Sequence, residues 1–292
     1  MHDQGLIEKA VAYADARNAA DAPFGTEIDG LSVARCRRAT ALEAMVYEPL
    51  VCLVLQGAKE SYLGETPVRF RAGQSLIVSL DIPSASRVVE ASMTKPYVAL
   101  ALRLDLSVLR ELDLELADAG QSEAAAPALA VGKADAALIR SMARLFDLVD
   151  HPLDRLILES SLKREVHFRL LLAGHAGLLR RLCRQDGHAS RISRALLRIK
   201  QTFDEPLCVG ELAALAGMSP STFHQHFKAL TATTPLQYQK DLRLLEAKRR
   251  LEGGESSVSQ AAFAVGYESP SHFSREYARK FGASPIKHLA TV

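Results

Sequence analysis

The chain has 292 residues, close to half of them hydrophobic, enough for about two domains; its four cysteines are scattered without C-x-x-C spacing, which excludes a disulfide scaffold. The formal net charge of +2 is unevenly spread: residues 190–292 hold 14 Lys and Arg against 9 Asp and Glu, residues 1–189 hold 22 against 25, so phosphate binding is expected of the basic end. No apolar run approaches the roughly 18 residues of a membrane-spanning helix and no secretory signal is visible, so no such helix is expected and a reducing cytoplasm is.

In chain order, residues 5–18 predict a short helix with an apolar stripe at Leu6, Ala10 and Tyr13 or Ala14. The period then changes. Strands are expected at 31–37, 49–56, 67–71, 75–80, 86–90 and 97–104, punctuated by Gly57, Gly64, Pro67, Gly73, Pro83 and Pro96. Short strands with regular turns predict a small antiparallel sandwich or barrel. Residues 118–134, rich in Ala with Gly120, Pro127 and Gly132, read as a loop, followed by helices at 134–149 and 153–182. The polar stretch Gln185–Ser190 reads as a linker, giving domains at 1–184 and 185–292.

The C-terminal part contains one pattern twice. Ser219-Pro220-Ser221-Thr222-Phe223 returns fifty positions later as Ser269-Pro270-Ser271-His272-Phe273, with Phe227 matching Tyr277 and Pro235 matching Pro285. Before each copy an Ala stands four residues ahead of a Gly, Ala213 with Gly217 and Ala262 with Gly266. A small residue lets two helices cross closely, and the Gly admits a left-handed turn. Ser as N-cap with Pro at the first helical position then starts a new helix. Each copy predicts a helix-turn-helix. Phe223 and Phe227, like Phe273 and Tyr277, lie four apart on one buried face. Ser221, His224, Gln225 and Lys228 are thereby left outside in the first copy, and Ser271, His272, Arg275 and Arg279 in the second. Gln, His and Arg suit base edges.

Two such units joined by a helix carrying Arg243, Ala247 and Leu251 resemble the DNA-binding domain of the AraC/XylS family of bacterial transcription regulators, over residues 192–290. The second copy, from Ala262 to Pro285, is the more specific. The run Pro49–Lys59, with Gly73 and Ser79–Pro83, resembles the cupin-like N-terminal domain of one branch of the family, over about residues 20–180. The resemblance implies an α+β chain: a cupin-like antiparallel barrel with flanking helices, then an all-α domain with two helix-turn-helix motifs joined by a long helix. It implies base contacts from Ser221, His224, Gln225, Ser271, His272 and Arg275. It also implies double-stranded DNA and RNA polymerase as partners, a small-molecule effector, and a homodimer formed by helices between 134 and 182. The sequence departs from the family at Cys208, where Ser or Thr usually caps a helix, and at Thr231–Thr234, which lacks the Gly present at 282.

Chemistry finds little support. Cupin enzymes hold a metal on His or carboxylate ligands, and no His lies between residues 3 and 150, so neither a metal nor another cofactor is expected. No G-x-S-x-G or P-loop motif appears, and the chain reads as a non-enzyme. Cys52, in an apolar strand, reads as a small buried hydrophobe; a thiol that senses electrophiles would need a lowered pKa. Inside the barrel, Arg35 or Arg87 is the candidate for holding a polar effector, since each interrupts an apolar or small-residue strand, Tyr47 for closing the pocket mouth, and Cys52 is counted with them as a ligand-binding residue. The expected function is a ligand-responsive, sequence-specific DNA-binding regulator. The alternatives are a constitutive regulator whose barrel only dimerises, and a cupin enzyme fused to a DNA-binding domain.

Overall fold

Alternation shapes the first half of the chain. The computed structural model describes residues 4–64, 66–116, 128–174, 177–183, 187–254 and 256–289. Helix α1 (Gln4–Ala16) precedes nine strands: β1 (Phe24–Gly25), β2 (Leu31–Cys36), β3 (Glu43–Tyr47), β4 (Leu50–Gln56), β5 (Ala58–Leu63), β6 (Thr66–Arg71), β7 (Gln74–Val78), β8 (Ile82–Glu90) and β9 (Tyr97–Arg103). Helix α2 (Leu106–Glu115), strand β10 (Leu129–Lys133) and helices α3 (Ala136–Asp147), α4 (Pro152–Leu172) and α5 (Gly177–Cys183) follow. The strands form a six-stranded sheet in the order β1-β2-β9-β4-β7-β10 and a four-stranded sheet in the order β3-β8-β5-β6.

Register tells the two faces of the larger sheet apart. Val33 and Leu53 both stand opposite Leu100, and Leu31 and Val51 both opposite Leu102. These residues form one buried cluster with Leu6, Ile7, Ala10 and Tyr13 of α1, Leu109 of α2, Leu138 and Met142 of α3, and Val166 and Leu170 of α4. The helices thus cover one face. The other face, carrying Ser32, Ala34, Cys36, Cys52, Val54, Tyr97, Ala99 and Ala101, looks onto the four-stranded sheet. Between β4 and β5 the chain crosses from one sheet to the other at Gly57, whose φ is +78° and where an added Cβ would meet Glu90 O at 2.4 Å. A side chain at 57 would close that corner.

The structure amends the expected elements in four places. Residues 43–47 and 58–63, left without a state, are strands; their register comes from long-range pairing rather than a strong local pattern. So is part of the expected loop at 118–134: β10 pairs antiparallel with β7 from Leu129↔Val78 to Lys133↔Gln74, while 118–127 lie outside the described residues. Helix α2 also went unassigned, although Asp105 accepts from the N–H groups of Ser107 and Val108 as a regular N-cap. Finally, the expected helix at 153–182 is two helices, and His188–Ser190, expected as linker, are the first turn of α6 (His188–Gln201).

The chain folds as two compact units. One comprises Met1–Glu43, Tyr47–Leu80 and Ala85–Ser190; the other comprises Arg191–Val292 with the short pieces Ala44–Val46 and Asp81–Ser84. The second is helical beyond α6: α7 (Val209–Leu215), α8 (Pro220–Thr231), α9 (Pro235–Glu252), α10 (Val258–Ala264), α11 (Pro270–Phe281) and α12 (Pro285–Leu289). Aromatic rings fill it. Phe227 lies 5.5 Å from Phe223 and edge-on to Tyr238 at 5.7 Å; Phe273, Tyr277, Tyr267 and Leu251 cluster in the second half.

Candidate functional site

The turns that aim α8 and α11 are built alike. Gly217 and Gly266 take φ of +61° and +82°, Ser219 Oγ accepts from Thr222 N–H, and Ser269 Oγ accepts from His272 N–H. Pro occupies the first turn of both helices, where its missing N–H costs nothing. With Phe223, Phe227, Phe273 and Tyr277 buried, one face of each helix is left to solvent. Ser221, His224, Gln225 and Lys228 on α8, and Ser271, His272, Arg275 and Arg279 on α11, are all exposed.

Their electrostatics differ. Glu276, largely covered, accepts an ion pair from Arg279 at 2.7 Å and faces Lys240 at 3.5 Å and His272 at 3.9 Å. Arg279 is therefore tethered along its own helix. Arg275 and Lys228 make no ion pair among the described residues, so their charges are available to a ligand.

Arg243 holds the copies together, a role the sequence reading did not assign. From α9, its Nε donates to Phe203 O (2.6 Å), Nη1 to Gly266 O (2.8 Å) and Nη2 to Glu205 O (2.8 Å). One guanidinium thus ties the segment ahead of α7 to the turn between α10 and α11. Its signal was a cation at the head of an otherwise apolar i, i+4, i+8 stripe.

In the first unit the expected effector residues fall in different places. Tyr47 is buried on β3, its hydroxyl 2.7 Å from Ser61 Oγ, and Cys52 Sγ lies 4.0 Å from Tyr97 OH on the inner face of the larger sheet. Arg35 is corrected: it shares the face of Leu31 and Val33, and its guanidinium is taken up by Asp15, Asp21 and Ala19 O on the helix side. Arg87 is corrected too. Its side chain lies on the outer face of the four-stranded sheet, paired with Glu60 at 2.9 Å. Neither arginine enters the space between the sheets. Burial raises the pKa of the Cys52 thiol and pushes that of Cys36 up to about 11, the reverse of what a thiolate sensor needs. Among the described residues no group of three or more His, Cys, Asp or Glu is arranged to hold a metal ion.

The sequence profile of the AraC-type transcriptional regulator N-terminus matches residues 27–178, and a helix-turn-helix domain profile matches residues 212–290. The chain belongs to the AraC-type transcriptional regulators. Among the family's curated members it is similar to the transcriptional activator RhaS of Salmonella paratyphi A, with 28% identity over 151 residues, covering 51% of this chain and 53% of RhaS. RhaS of Citrobacter koseri is 32% identical over 125 residues, covering 42% and 44%. The matched stretch thus spans about half the length of these curated relatives. In fold, this AraC-type chain is similar to the crystal structure of ToxT from Vibrio cholerae O395, with a TM-score of 0.58 at 12% identity, covering 89% of this chain and 97% of ToxT. No helix among its described residues is long and apolar enough to cross a membrane.

Proposed function

We propose that this AraC-type regulator reads double-stranded DNA with both recognition helices of one chain, and that its N-terminal sandwich binds a small effector that biases the DNA-competent state. The observation that carries the DNA reading is the repeated geometry: two identically turned helices, each presenting four exposed polar residues, with Arg243 bridging their supports. Helix N-termini and Lys or Arg side chains anchor phosphates and fix register; Gln225, His224, Arg275 and His272 face base edges in the major groove. Residues 185–292 form the DNA-binding part and 1–184 the sensing part. The mechanism is one of binding and population shift, without covalent chemistry.

Self-association as a homodimer fits the start of α4. Leu153, Leu156 and Ile157 lie at i, i+3 and i+4 and are 81%, 80% and 70% exposed, an apolar stripe wide enough to be buried against a second copy. Titration of the full chain against promoter DNA at several salt concentrations tests the main reading. Affinity should fall steeply with salt as counterions are released from phosphates. Absence of DNA binding even at low salt would overturn it.

A further inference from the structure

The two recognition helices carry one acidic residue between them: α8 has none, and α11 has Glu276 alone. A carboxylate on a helix that meets phosphates works against binding unless neighbouring cations neutralise it. Here they do. Glu276 Oε2 takes Arg279 of its own helix at 2.7 Å and Lys240 of α9 at 3.5 Å, while Oε1 faces the His272 ring at 3.9 Å. The Glu276 side chain is 12% exposed, against 67% for Arg279 and 53% for His272, so the acid sits beneath the groups it holds. His272 is also braced edge-on against Tyr267 at 5.6 Å.

This arrangement divides the basic groups around α11 into two kinds. Arg279 and Lys240 are balanced by Glu276, whereas Arg275, one turn before Arg279, makes no ion pair among the described residues. A free arginine or lysine beside DNA takes any phosphate within reach and adds affinity without sequence. A cation already paired must first leave its partner. In the first copy the fifty-residue offset puts His226 at the place of Glu276 and Ala229 at that of Arg279, so the arrangement belongs to α11 alone.

Resting on the reading of α8 and α11 as the helices that read DNA, we propose that Glu276 is a positioning residue for specificity: it withholds Arg279 and Lys240 from indiscriminate phosphate contact and steadies His272, so that α11 discriminates through Arg275 and His272. Specificity is a difference between affinities, and it grows when contacts open to every sequence are suppressed. Without the carboxylate, α11 binds more DNA sequences and tells fewer of them apart.

The test compares the full chain as wild type and Glu276→Gln. Each is titrated over a salt series against DNA selected by the wild type and against a random-sequence duplex, with selection from random DNA and thermal melting alongside. For Glu276→Gln, binding to the random duplex should tighten about three- to tenfold at low salt, and the plot of log K against log salt should steepen by about 0.9 for each cation released to a phosphate. Base preference should relax in the half of the site that Arg275→Ala also relaxes, and the other half should stay as in the wild type. Adding Arg279→Gln to Glu276→Gln should take back about one cation's share of the steeper slope. Glu276→Ala is the second neutral variant should the glutamine disturb the fold. An unchanged slope and sequence preference, or a lower melting temperature with equal loss of affinity for both duplexes, would make Glu276 a structural ion pair only and overturn the proposal. Relaxation in both halves would overturn it as well. A wild type that binds neither duplex would sink the DNA reading itself and this proposal with it, whereas a selective wild type matched by its neutral variants sinks only the role given to Glu276.

Discussion

Set side by side, the first helix-turn-helix, α7 with α8, and the second, α10 with α11, share every feature that aims the recognition helix and differ in those that only reinforce it. Both have a left-handed Gly in the turn, a Ser N-cap, a Pro in the first turn and a buried aromatic pair. The supporting helices diverge. Ser257 and Gln260 form a reciprocal capping box at the start of α10, whereas Cys208 makes no side-chain bond at the start of α7. After the recognition helix, Gly282 takes φ +76° in the second copy, and Ala232 takes φ +58° in the first, where a Cβ is disfavoured. The turn glycines differ as well. An added Cβ at Gly266 would meet Asp204 O at 2.1 Å, while the nearest atom at Gly217 is Arg191 Nη1 at 3.6 Å. The two copies thus agree in what orients the recognition helix and differ in what adds local stability.

That comparison can be broken most sharply at the turn glycines. Gly266→Ala should destabilise the helical unit by about 3 kcal/mol or more, combining positive-φ strain with a backbone clash. Gly217→Ala should cost about 1 kcal/mol from strain alone. Denaturant melts of the two variants give the difference directly; equal costs would contradict the packing argument. Arg243→Met comes next, at about 2–3 kcal/mol, because it leaves three carbonyls without their charged donor. Hydrogen exchange should show both copies loosening, and loosening of one alone would deny Arg243 its bridging role.

The caps carry the smallest effects and opposite signs. Ser257→Ala should cost about 1 kcal/mol, and Cys208→Ser should gain up to about as much, since it supplies the oxygen that the first copy lacks. Ala232→Gly should gain a few tenths to about 1 kcal/mol by relieving the left-handed residue. Unfolding midpoints check all three, and a loss on Cys208→Ser would mean that the first copy is not short of a cap.

The same contrast explains what the sequence disclosed. The helical unit was readable because its signals are local: Ser-Pro starts, paired aromatics and a Gly four residues after an Ala fix each turn within about a dozen residues. The sandwich is non-local. β3, β5 and β10 owe their state to partners far along the chain, and β10 (Leu-Ala-Val-Gly-Lys) has little strand character of its own. Sidedness was lost with them. Alternation alone does not say which face of β2 the helices cover, where Asp15 and Asp21 take up Arg35, or that Arg87 shares the outer face of β8 with Glu60 of β5.

The central claim is that α8 and α11 each read their own half of one DNA site. Arg275 stands exposed two residues after the buried Phe273, long enough to donate to O6 and N7 of a guanine; Gln225 occupies the corresponding position of the first copy. Held by one chain, the two helices should meet major-groove segments about one turn, roughly 10 base pairs, apart. The direct measurement is selection from random-sequence DNA with the wild type, Arg275→Ala and Gln225→Ala. Each substitution should cost about 1–3 kcal/mol and relax base preference in one half of the site only, a different half for each. Uniform loss of affinity with the preferred sequence unchanged in both halves would contradict it, and would make both residues backbone anchors.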